Sequence, residues 1–109
     1  KKMAIDYSTI NLFPEAKTFT AEVTITQITL PGNAKKMTIG AEVNKTYVSF
    51  TSSLVDGAVA PTEDYTFIPS GVIWECNLGL GTTRKKTTAF VWSDTASNKT
   101  TVVFENQSG

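Results

Sequence analysis

The sequence predicts an all-β protein, a single antiparallel β-sandwich or jelly roll of about seven to eight strands with an extended N-terminal arm. Three observations lead there. β-branched and aromatic residues recur in short runs of period two, which put one set of side chains on a core face and the other towards solvent. Turn residues break these runs at roughly 8–12-residue intervals, the spacing of sandwiches and jelly rolls. No stretch carries a helical period of useful length. At 109 residues the chain holds one domain with a real core. The expected division is an arm over 1–17 and a β-sandwich domain over 18–109.

The arm, KKMAIDYSTINLFPEAK, follows neither period well. Met3, Ile5, Tyr7, Ile10, Leu12 and Phe13 are apolar but irregularly spaced, and Pro14 marks a turn or a short helical start. Two readings stand side by side: a first strand and loop packed on the domain's own core, or an arm that docks on a neighbouring subunit. Six large apolar groups are too many for a free tail, so both readings cover them.

Thr18 to Leu30, TFTAEVTITQITL, is the longest strand candidate. Phe19, Ala21, Val23 and Ile25 share one face. After Gln27 the apolar positions become Ile28 and Leu30, a slip of one residue that a bulge or a sheet-changing corner produces. Pro31-Gly32-Asn33 then breaks the chain. Lys35 to Ser52 reads as a hairpin folded at Val43-Asn44-Lys45, with Met37, Ile39 and Ala41 on one arm and Tyr47, Val48 and Phe50 on the other. A polar loop with Asp56-Gly57 and Pro61 leads to a short strand at Tyr65 to Ile68, closed by Pro69-Ser70-Gly71. Val72 to Leu78 is the next strand. Thr87 to Ser93 and Thr100 to Glu105 form a last pair, joined by a polar hairpin loop over Asp94 to Lys99.

Composition narrows the function. Ten basic and ten acidic residues cancel, so no long-range field gathers polyanions, and neither nucleic acid nor an anionic membrane is expected as a partner. No apolar run approaches the roughly 20 residues of a membrane helix. The chain has no histidine, which removes His-dependent triads and most zinc chemistry. Its one cysteine, Cys76, alternates with apolar neighbours and reads as a buried structural thiol. No catalytic residue, cofactor or metal ligand is expected.

The remaining constellations favour structural readings. Asp56, Glu63 and Asp64 lack the regular spacing of a calcium loop and read as a solvated loop. Arg84-Lys85-Lys86 reads as an edge or loop that discourages strand aggregation. Gly79-Leu80-Gly81 follows a strand but opens no helix, so it is no dinucleotide fingerprint. Asn44-Lys45-Thr46, Asn98-Lys99-Thr100 and Asn106-Gln107-Ser108 match the glycosylation sequon in a Thr-rich chain where chance supplies one or two. Trp74 and Trp92 lie in strand patterns that favour the core over an exposed sugar-stacking platform.

Four stretches carry a family likeness: Leu30-Pro31-Gly32-Asn33-Ala34-Lys35, Tyr47-Val48-Ser49-Phe50, Ile68-Pro69-Ser70-Gly71 and Ala89-Phe90-Val91-Trp92. Their order resembles that in small virion proteins of tailed bacteriophages, over about three-quarters of the chain and through turn and strand motifs alone. The resemblance implies location in the virion and a non-enzymatic structural role, such as a capsid decoration or auxiliary protein. It implies other virion proteins as partners, either the major capsid protein or neighbouring copies in a homo-oligomer. The arm at 1–17 lies outside the likeness; on the docking reading of its own apolar residues, the docking residues would be Met3, Ile5, Tyr7, Ile10, Leu12 and Phe13. The other reading is a carbohydrate- or receptor-binding β-sandwich module of a tail or head fibre.

Overall fold

The computed structural model describes residues 4–51, 53–79 and 87–106. Met3, the basic step Arg84-Lys85-Lys86, Leu80-Gly81 and the Gln107-Ser108 end of the third sequon lie outside them. Among the described residues there are nine strands and no helix, arranged as two facing sheets.

The strands are β1 (Ile5–Asp6), β2 (Glu15–Ala21), β3 (Thr26–Thr29), β4 (Lys36–Ala41), β5 (Thr46–Ser49), β6 (Thr66–Ile68), β7 (Ile73–Asn77), β8 (Thr88–Ser93) and β9 (Asn98–Glu105). Sheet I has the order β1-β3-β8-β5-β6, and sheet II the order β2-β9-β4-β7. Every pairing is antiparallel except β1 with β3. The chain changes sheet at every connection except β5 to β6, which are joined by the long 50–65 loop.

This wiring corrects three expectations. Lys35 to Ser52 is not a hairpin: β4 pairs with β7 and β9 in sheet II, while β5 pairs with β6 and β8 in sheet I. Alternation shows which face of a strand is buried, not which strand lies beside it. Met37 and Ile39 meet Val48 across the sandwich rather than along a ladder. The last pair is likewise no hairpin, since β8 lies in sheet I and β9 in sheet II. The single strand expected over Thr18 to Leu30 is two, β2 and β3, in different sheets. The slip of phase does mark a sheet-changing corner, but the corner falls at 22–25, earlier than the slip at Gln27.

The main core fills the space between the sheets, with Phe19, Ile28, Met37, Ile39, Val91 and Phe104 among its buried members. A second cluster sits on the outer face of sheet I. There Ile25, Phe90 and Trp92 are buried, with Tyr47, Leu54 and Ala60 packed on them. β8 is therefore covered on both faces, Ala89 and Val91 turning inward and Phe90 and Trp92 outward. The 50–65 loop is tied along the corner at 22–27. Ile25 N–H donates to the Ala58 carbonyl (3.0 Å), Gly57 N–H to the Ile25 carbonyl (2.8 Å), and Gln27 N–H to Asp56 Oδ1 (3.1 Å).

One buried side chain holds the two sheet crossings at the opposite end. Asn98 Oδ1 accepts from Val43 N–H (3.1 Å) and Asn44 N–H (3.4 Å). Its Nδ2 donates to the Asn44 carbonyl (2.8 Å), Ser93 Oγ (2.9 Å) and Thr46 Oγ1 (3.4 Å). Both corners, 42–45 and 94–97, thus close on the same amide, which supplies the partners that a hairpin ladder would otherwise give.

Candidate functional site

The apolar residues of the N-terminal segment go mostly to the chain's own core. Ile5, Tyr7, Ile10 and Phe13 pack against the main cluster, Tyr7 lying edge-on to Phe104 at 5.6 Å between centroids. Tyr7 N–H donates to the Thr29 carbonyl (2.9 Å) and prolongs the β1–β3 ladder. Leu12 differs, with 77 % of its surface exposed.

Two surfaces present groups that the fold itself does not use. The first is the corner of sheet II at β7. β7 pairs with β4 on one side, and among the described residues no strand pairs with its other side. Trp74 and Cys76 turn towards the core, while Ile73 is 70 % exposed on the outer face and Val72 is also exposed. Gly40, opposite Ile73 in the register, leaves a notch. A Cβ there would come within 3.0 Å of the Val72 carbonyl oxygen. Thr38, Gly40, Val72, Ile73, Thr101 and Val103 line the resulting hollow of about 220 Å³. The other edge of the sheet is built differently. β2 carries Glu15 and Lys17 on its inward-alternating positions, paired at 3.5 Å, and such charges discourage strand addition.

The second surface is the aromatic rim of sheet I. Phe67, Tyr47 and Trp92 occupy one row across β6, β5 and β8. Tyr47 stacks on Trp92 (5.7 Å, 15°), and Tyr65 stands edge-on to both, 5.2 Å from Tyr47 and 5.6 Å from Trp92. The Tyr47 hydroxyl donates to both oxygens of Asp94, at 2.9 and 3.0 Å. Burial, together with that carboxylate's hydrogen bond and charge, raises the Tyr47 pKa above the ordinary phenol value. Lys45 Nζ lies over the Phe67 ring at 5.5 Å. A hollow of about 320 Å³ opens beside these groups, lined by Pro61, Tyr65, Asp94 and Val23 among others.

The tryptophans themselves offer no platform: Trp92 is 3 % exposed and Trp74 packs on the main core. The exposed rings are Tyr65 and Phe67, which the sequence reading did not single out. Their signal was the adjacency of Tyr65 and Phe67 to Pro61, but their partners Tyr47, Trp92 and Asp94 lie far along the chain.

Cys76 is half-buried, and loss of solvation pushes its thiol up to about 11, opposed by a hydrogen bond with the Met37 backbone. It is not poised as a nucleophile. Among the described residues no cluster of His, Cys, Asp and Glu has the geometry to hold a metal ion. Asn98 is fully buried with its amide committed, so the second sequon offers no accessible acceptor in the folded chain. No helix among the described residues is long and apolar enough to cross a membrane.

No protein-family model, curated protein or solved structure matches the chain significantly.

Proposed function

We propose that the chain is a non-enzymatic structural protein of a tailed-phage virion, of the capsid-decoration or auxiliary kind. In this reading it docks on other virion subunits, the major capsid protein or further copies of itself, through the β7 corner and the N-terminal segment. The supporting observation is the β7 corner. It combines a strand side with which no described strand pairs, an exposed isoleucine and valine, and a hollow beside Gly40. Edges of this kind are ordinarily guarded, as β2 is, unless a partner covers them. The virion assignment itself comes from the likeness of the turn and strand motifs. Within the N-terminal segment, Leu12 is the side chain available for docking while the other described apolar groups stay on the core.

The test is the solution mass by sedimentation of the wild type, Ile73→Asp and Leu12→Asp. Point changes are chosen because removing 1–17 would also strip Ile5, Tyr7 and Phe13 from the core and the start of β2. The expected result is a defined oligomer that Ile73→Asp reduces towards monomer, with Leu12→Asp giving a smaller shift. If the wild type is monomeric, the same variants are compared for occupancy on purified phage heads. Occupancy unaffected by either change sinks the proposal.

A further inference from the structure

The aromatic rim carries an inference independent of virion docking. We infer that the hollow beside Tyr65, Pro61, Tyr47 and Asp94 is a carbohydrate subsite, which takes a neutral sugar through two adjacent hydroxyl groups. At about 320 Å³ the hollow sits at the small end of ligand sites, roughly 300–1,000 Å³.

Its chemistry is divided as a sugar's is. One wall is ring surface and the Pro61 side chain, which suit the C–H face of a pyranose. The other is a carboxylate. Asp94 is exposed, and among the described residues no cation pairs with it. A carboxylate only accepts hydrogen bonds, and its two oxygens offer about four lone-pair sites. The Tyr47 hydroxyl reaches both oxygens with a single hydrogen, fixing the group's orientation and leaving acceptor capacity on each. Two neighbouring O–H donors on a sugar ring match that fork.

Preorganisation points the same way. Tyr65 is 40 % exposed, yet its ring is set by edge contacts with Tyr47 and Trp92. A ring already fixed loses little freedom on binding. The competing ligand classes fit less well. A purely apolar ligand would cover Asp94 with no hydrogen bond in return. An acidic sugar would meet its charge.

The experiment is a titration of the full chain with maltotriose, mannotriose, N-acetyllactosamine and a galacturonic-acid trimer, followed by the Trp92 indole resonance. At least one neutral oligosaccharide is expected to bind, in the weak range of roughly 10 µM to 10 mM. Asp94→Asn, which keeps the shape of the side chain, should weaken it about tenfold or more. Tyr65→Ala should weaken it comparably, while Ile73→Asp leaves it unchanged. Three results overturn the inference: no neutral sugar shifting the resonance, the acidic trimer binding as tightly as the neutral ones, or Asp94→Asn binding like the wild type. Because Ile73 reads the docking surface and Asp94 the rim, failure of one proposal leaves the other standing.

Discussion

The outer faces of the two sheets contrast in how they deal with water. On sheet I the outward positions of β8 hold Phe90 and Trp92, and the loop after β5 packs Leu54 and Ala60 on them, so this part of the face becomes a second core, while Phe67 on β6 stays exposed. On sheet II the outward positions are mostly polar or small, among them Thr18 and Thr20 on β2, Thr38 on β4 and Thr101 on β9. Thr18 and Thr101 hydroxyls even meet across the ladder at 3.3 Å. That face needs no cover except at Ile73 and Val72. The lesson is that apolar content on an outer face signals a partner only where the chain has not supplied its own. By that criterion the docking proposed above falls at the β7 corner and not at Trp92.

Matched truncations test the contrast most severely. Trp92→Ala removes a ring that the loop, Ile25 and Tyr47 all pack against, and should cost about 3–5 kcal/mol of stability. Ile73→Ala removes a side chain that is mostly in water and should change stability by less than about 0.5 kcal/mol. Denaturant unfolding of both variants checks the pair. Similar losses at the two positions would mean that the loop does not cover sheet I as described.

Next in size is Asn98→Ala. The substitution orphans the Val43 and Asn44 N–H groups together with the Asn44 carbonyl, at the point where both sheet crossings close. A buried unsatisfied group costs about 1–3 kcal/mol, and the exposed flank at Val43 lets water reclaim part of it. A loss on the order of 3 kcal/mol is expected, read as a shifted denaturation midpoint with an unchanged slope. A shift below about 1 kcal/mol would assign the corners to other contacts.

The same corner explains what could be read in the chain and what could not. Strand positions were legible because alternation is local: Lys36–Ala41 shows period two in its burial, as its sequence does, while in Asn98–Glu105 the burial alternates and the β-branched run Thr100 to Val103 marks the strand. Pairing was not legible. Val43-Asn44-Lys45 and Asp94 to Lys99 look like hairpin turns, and the contacts that make the first a crossing between sheets come from residues 93–99, Asn98 foremost, many positions from Asn44. The aromatic rim was hidden for the same reason, since Tyr47 meets Asp94 through the β5–β8 pairing. The N-terminal segment fell between its two readings, Ile5 and Tyr7 joining the core and Leu12 staying outside it.

The smallest expected effect concerns Cys76, which separates the inner and outer sides of β7. Glu75 and Asn77 alternate outward, while the thiol faces the core and loses solvation, raising its pKa from 9.0 to about 11. A thiol whose pKa is higher in the folded state holds its proton more tightly there than in the unfolded chain. Its contribution to stability is therefore complete below pH 9 and is lost as the pH rises from about 9 to 11. Cys76→Ser places a hydroxyl that does not titrate in this window, so the variant's stability should fall less steeply there. The same burial predicts slow alkylation of the native thiol at pH 8, becoming fast on unfolding. Alkylation of the folded chain at the rate of a free thiol would show that β7 opens in solution. The edge offered to a partner would then be a fluctuating strand rather than a fixed one.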